Sequence, residues 1–130
     1  MNIRFDYLYR DASNYSKSGW VVFADPDHLA SHLSEQESLL RQALMVDGNF
    51  SAHQIRLPEL FLYAAGDASS DDHCLHEFLG LEATTDQPDD QLRRSFCQFL
   101  DQIEEASRAG WLGFDPHGSS SIRRYFRFSA

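Results

Sequence analysis

Cysteine is scarce in this chain, and so is positive charge. Only Cys74 and Cys97 occur in 130 residues. Two thiols with no spaced framework exclude a disulfide-stapled scaffold, and both are expected to be reduced. The opening "MNIRFDYLYR" alternates and carries charge, unlike a secretory leader, and no apolar run approaches the ~20 residues a membrane span needs. A soluble cytoplasmic chain without a membrane partner is therefore expected. Eleven Lys and Arg stand against twenty Asp and Glu, for a net charge of −9. That balance argues against a nucleic-acid partner held by bulk electrostatics. There is no CxxC and no HExxH. "HGSSS" at 117–121 lacks the lysine and the strand-to-helix context of a phosphate loop. No repeats or low-complexity tracts occur, no cofactor is implied, and no residue stands out as catalytic.

What is present suits a single α+β domain over 1–130. A chain of this length can bury roughly two-thirds of its unfolded surface without a staple. Hydrophobic residues make up 42%, and ten Phe, five Tyr and two Trp predict a core built largely from rings. Residues 3–9 place Ile3, Phe5, Tyr7 and Tyr9 on one face and Arg4, Asp6 and Leu8 on the other, the period of a strand. "RDASNYSKSG" supplies turn chemistry before a second strand, "WVVFA". From Asp25 to Gly48 the residues predict a long helix, capped by Asp25 with Pro26 at its first position and a stripe of Leu29, Leu33, Leu40 and Leu44. A strand over 60–64 and another from His73 predict a hairpin around the acidic loop "GDASSDD". A second long helix follows, its start marked by Pro88 and the Asp89/Asp90 pair, its buried stripe Leu92, Phe96, Phe99, Leu100 and Ile103, its end Gly110. "IRRYFRF" reads as a final strand. The order predicts a single, mostly antiparallel sheet of about five strands with two long helices on one face.

The densest group of reactive side chains is "DDHCLHEF" at 71–78. If it is a strand, His76 shares a face with Cys74, and His73 shares the opposite face with Glu77. That parity splits the histidines and argues against a bound metal, for which His73, His76 and Glu77 are the candidate ligands, with His53 or His117 arriving through the fold. It also points Cys74 away from both neighbouring histidines, so cysteine catalysis is not expected. The stretch is expected to close a hairpin loop, with Leu75, Leu79 and Leu81 facing the core.

The segments "YLYRDASNYSKSGWVVFADP" and "DDHCLHEFLGLEATTDQPDD", about a third of the chain, resemble a group of small bacterial proteins reading roughly YRDAxNYK, VVFxNP and DHxWHEF. This chain departs by an inserted Ser16, by Ala24-Asp25 before Pro26, and by Cys74-Leu75 where the group tends to carry tryptophan. The group brings no settled activity. The resemblance implies a bacterial or phage origin and a recurring role for the loop from Arg10 to Lys17.

Charge layout frames the functional expectations. Nine acids and no Lys or Arg lie between Leu57 and Leu92, while the tail "IRRYFRFSA" holds three arginines and no acid. The leading expectation is a non-catalytic binding protein that engages a basic protein partner through Asp67, Asp71, Asp72, Glu82, Asp86, Asp89 and Asp90. Small acidic immunity, antitoxin or anti-defence proteins share this composition. Neutralising Asp67, Asp71 and Asp72 together is expected to leave the fold intact. The alternative is a site for a small anionic or nucleotide-like ligand, built from Arg4, Arg10, Tyr15, Arg123 and Arg127 if the tail strand lies beside the first. A third reading is a metal-dependent hydrolase centred on His73, His76 and Glu77.

Overall fold

The computed structural model describes residues 1–118 and 122–128. The architecture is α+β: a curled antiparallel sheet of four strands, a separate two-stranded sheet, and two helices. In chain order the elements are β1 (Asn2–Arg10), β2 (Ser16–Phe23), a 3-10 turn (Leu29–His32), α1 (Leu33–Ala43), β3 (Asn49–Phe50), β4 (His76–Thr84), α2 (Phe96–Ala109), β5 (Leu112–Phe114) and β6 (Tyr125–Arg127). The main sheet runs β2-β1-β4-β3, and β5 pairs only with β6. One sheet of about five strands is thus replaced by four plus two.

β1 behaves as its alternation predicts. Ile3, Phe5, Tyr7 and Tyr9 are fully buried, and Leu8 is covered as well. Phe5 is the hub, with its ring 4.9 Å from Phe78, 5.1 Å from Phe99 and 5.8 Å from Phe50. Phe23 stacks on Phe99 at 4.2 Å. Each fully buried ring stabilises the fold by about 1.5–3 kcal/mol through the area it removes from water. Leu40 of α1 and Phe96, Phe99 and Ile103 of α2 enter the same cluster.

Four sequence expectations about the elements need correction, and each has a local cause. The first helix does not run from Asp25 to Gly48. Asp25 accepts the amides of Leu29 and Ala30 at 2.9 and 2.8 Å, which holds a wide turn, and His28 adopts a left-handed φ of 57°. The regular helix then starts only at Leu33 and ends at Ala43, where Leu44 turns extended.

The second helix starts at Phe96 rather than near Pro88. Ser95 and Gln98 form a capping box: the Gln98 amide donates to the Ser95 hydroxyl at 3.2 Å, and the Ser95 amide to Gln98 Oε1 at 2.9 Å. The residues before it are committed elsewhere. Asp89 donates its amide to Val22 O and accepts the Val22 amide on its carboxylate, and Arg93 sits at φ 53°. Leu92 is consequently half exposed and not part of the buried stripe. Gly110 does end the helix, with φ 96°.

No strand forms over 60–64. Side chains, not a ladder, satisfy this part of the chain: the Tyr7 hydroxyl donates to Pro58 O at 2.6 Å, and the Leu60 amide donates to His76 Nε2 at 2.8 Å.

The inward set at the start of β4 is Cys74, His76 and Phe78, all buried, while Leu75 is half-buried and Leu79 is 43% exposed. A register shift opposite Asp6/Tyr7 then makes Leu79 the extra residue, and Leu81 returns to pack on the core.

Candidate functional site

The "DDHCLHEF" stretch is a joint between loops. Asp71 accepts the Ser13 hydroxyl at 2.6 Å, and its carbonyl accepts the Ala12 amide, which docks the β1–β2 hairpin loop. Asp72 accepts the Tyr9 hydroxyl at 2.6 Å and the Ser69 amide at 2.9 Å. Desolvation opposes ionisation of Asp72, but these hydrogen bonds outweigh it and hold its carboxyl below the usual range. His73 places Nε2 2.6 Å from the Arg10 carbonyl and accepts the Leu75 amide on Nδ1 at 3.1 Å. These contacts assign the proton to Nε2. Glu77 faces Arg10 at 3.5 Å.

His76 is the unusual member. It is 1% exposed, and rings of Phe61, Tyr7 and Tyr9 lie 4.7–5.9 Å away. Because Nε2 accepts the Leu60 amide, the ring proton belongs on Nδ1, which is buried without a hydrogen-bond partner. Burial pushes its pKa down to about 4, and the nearby Arg123 charge acts in the same direction. Among the described residues no three His, Cys, Asp or Glu side chains converge on a common point.

The seven acids of the charged middle do not form one uncommitted face. Asp90 is buried against Arg94, Glu82 pairs with Arg4, Asp71 and Asp72 knit the joint, and Asp89 is bonded to β2. Asp67 and Asp86 are exposed, and Asp86 lies close enough to Arg4 to help raise its pKa. The arginines assigned to a ligand separate too. Because β6 pairs with β5 and not with β1, Arg123 and Arg127 share no sheet with Arg4 and Arg10. Arg4 is held by Asp6 at 2.9 Å and lies over Trp20, and Arg10 donates to Asn14 at 2.5 Å. Tyr15 stands exposed on the hairpin loop. Arg127 donates to the Ala109 and Gly110 carbonyls, closing the C-terminus of α2.

Two of that set reach cavities: Arg4 lines a shallow one of about 320 Å³ with Asp6 and Trp20, and Arg123 lines another with aromatic walls. The latter cavity, of about 390 Å³, has Phe61, Tyr63, Phe114, Asp115, Arg123 and Arg124 among its walls. The Arg123 guanidinium lies 4.1 Å above the Phe114 ring centre and 5.6 Å from that of Phe61. It donates to Glu59 at 2.6 Å and to the Tyr125 hydroxyl at 3.3 Å. Burial acts to lower its pKa, but the bond to Glu59 wins and raises it further. Arg124 is exposed, and no partner for its guanidinium is found among the described residues. Behind this wall Tyr63 donates to the His73 carbonyl at 2.8 Å, and Phe61 packs on Tyr9 and His76. The joint is therefore the backing of the cavity. Burial also pushes up the pKa of the Cys74 thiol, which lies in that backing.

Sequence reasoning missed Phe61, Tyr63 and Phe114 as a cavity wall. The i, i+2 spacing of Phe61 and Tyr63 is the available signal, and it fits a paired strand as well as a cavity wall. Compared with known proteins, the chain matches no family model, no curated protein and no solved structure.

Proposed function

We propose that the chain is a non-catalytic binding protein whose cavity takes a small, nucleotide-like ligand: a flat ring with an anionic group. The observation that carries this reading is the placement of Arg123 over Phe114 and Phe61, fixed by Glu59 and Tyr125, beside the uncommitted Arg124. Fixed aromatic and guanidinium planes suit a ring. An exposed arginine suits phosphate or carboxylate, and the Asp115 carboxylate at the rim can accept from a ring amino group. The volume lies within the usual range for small-ligand sites, about 300–1,000 Å³. The test is thermal unfolding with 5′-mononucleotides. A ligand at about 100 times its dissociation constant stabilises by about 2.7 kcal/mol, which raises Tm by several degrees. Arg124→Gln should abolish the shift without lowering the ligand-free Tm. A shift that survives Arg124→Gln would remove the reading.

A second reading, engagement of a basic protein partner, is supported by the exposed carboxylates of Asp67 and Asp86. It has fewer free charges to work with than the sequence promised.

A further inference from the structure

A second cavity adjoins the aromatic-walled one through one ion pair. This one, of about 250 Å³, is lined by His53, Arg56, Leu57, Glu59 and Gln91 among others. Arg123 belongs to the first cavity and Glu59 to the second, and they are joined at 2.6 Å. Next to that ion pair the His53 ring stacks on Tyr125, at 5.2 Å between centres and 15° between planes. The Tyr125 hydroxyl lies 3.3 Å from Arg123. The ion pair thus bridges the two hollows, with the His53–Tyr125 stack beside it.

Each hollow brings its own exposed arginine, Arg124 on one side and Arg56 on the other. Arg56 is held in a left-handed conformation, φ 57°, which a residue with a side chain rarely adopts. Its amide donates to His53 O at 3.2 Å and its carbonyl accepts from Arg94 at 3.2 Å, so the turn is fixed from both ends. The negative charge at the ridge, Glu59, is already spent on Arg123. The first hollow is walled by Phe61, Tyr63 and Phe114 and the second by His53, Leu57 and Leu92, and the exposed Arg56 and Arg124 line them on either side of the Arg123–Glu59 pair.

We propose that the two cavities are subsites of one groove and that its ligand is a dinucleotide, one base in each hollow with the bridging phosphate over the Arg123–Glu59 ridge. This rests on the nucleotide-like reading of the first cavity and extends it. The rings of the first hollow, and the His53 and Arg56 planes of the second, accept a base by stacking, while the exposed arginines hold the anionic link. Joining two bases makes the second contact intramolecular, so the linked ligand gains affinity over either half.

The test is calorimetric titration of the whole chain with the four 5′-mononucleotides and with the corresponding 5′-phosphorylated homodinucleotides. At least one dinucleotide is expected to bind about tenfold or more tightly than its mononucleotide. Arg56→Gln should cancel that gain and leave mononucleotide binding unchanged, whereas Arg124→Gln should abolish mononucleotide binding and weaken that of the dinucleotide. Both side chains are exposed, so neither variant should alter the fold; circular dichroism and Tm check this. Mononucleotide binding that depends on Arg124, with no dinucleotide gain or with a gain indifferent to Arg56→Gln, overturns the two-subsite proposal and leaves the single pocket standing. A folded chain that binds neither class overturns both.

Discussion

Arg94 grips the Asp90 carboxylate with two parallel hydrogen bonds, Nε to Oδ2 and Nη2 to Oδ1, both 2.9 Å long. Its remaining donors reach the carbonyls of Ile55 and Arg56 and the side chain of Gln102, so all five are satisfied. The guanidinium lies 5.0 Å from the Phe99 ring centre, inside the core. One buried arginine thus binds the irregular segment before β4 to the start of α2.

Removing one partner of such a pair strands a buried charge. Arg94→Ala should therefore destabilise the chain by about 3–5 kcal/mol in urea unfolding. Arg94→Lys should recover only part of this, because an ammonium cannot reproduce the planar fork. A loss below about 1 kcal/mol for Arg94→Ala would show that the pair is not a structural clamp.

His76 predicts a pH dependence. Its pKa is about 4 in the folded chain against 6.5 when unperturbed, so between these values the unfolded state binds the extra proton. Stability contributed by the neutral ring is complete above about pH 6.5 and falls as pH drops through about 4, by about 3 kcal/mol in all. His76→Gln can still accept the Leu60 amide but cannot titrate. Urea unfolding from pH 4.5 to 7 should show a shallower pH slope in the variant than in the parent. Parallel slopes would contradict the buried neutral histidine.

The loop joint separates two acids that look equivalent in sequence. Asp72→Ala leaves the Tyr9 hydroxyl, on a fully buried side chain, without its acceptor and should cost about 1–3 kcal/mol. Asp67→Ala, at an exposed turn, should stay within about 0.5 kcal/mol of the parent. The triple neutralisation of Asp67, Asp71 and Asp72 should thus loosen the joint, contrary to the sequence expectation. Equal effects of the two single changes would remove the joint.

For the basic-partner reading, the cleaner variant is Asp67→Asn with Asp86→Asn. If such a partner is found, association should slow as salt rises, since exposed charges are screened beyond about 10 Å at 0.1 M. The double variant should reduce the on-rate. Rates indifferent to both would exclude these carboxylates from the interface.

Core truncations calibrate the fold. Leu40→Ala should cost about 2–5 kcal/mol and Phe99→Ala about 3–5, since both side chains are buried in the common cluster. Losses under about 1 kcal/mol at both positions would mean that the helices do not pack as described.

The sequence by itself determined the parts whose causes are local. Alternation along 3–9 specified β1 and its inward face, because side chains of a strand point to opposite sides. Turn residues between Arg10 and Ser16 specified the first hairpin, and Gly110 specified the end of α2. The mismatched helix starts were also written locally, in the Ser95–Gln98 box and in the Asp25 turn, but competing signals at Pro88 and Asp89 were stronger to the eye.

What only the tertiary structure decided depends on pairs far apart in the chain. Whether an acid faces a partner or an arginine is set by which segments meet: Glu59 finds Arg123, Glu82 finds Arg4, and Asp72 finds Tyr9. The tail strand could have joined β1 or β5 on composition alone, and pairing with β5 carried Arg123 over Phe114 and away from Arg4. The cavity exists because Phe61 and Tyr63 lie in an irregular segment whose backbone is satisfied by side chains of β1 and β4. No periodicity in the sequence records such long-range bonds.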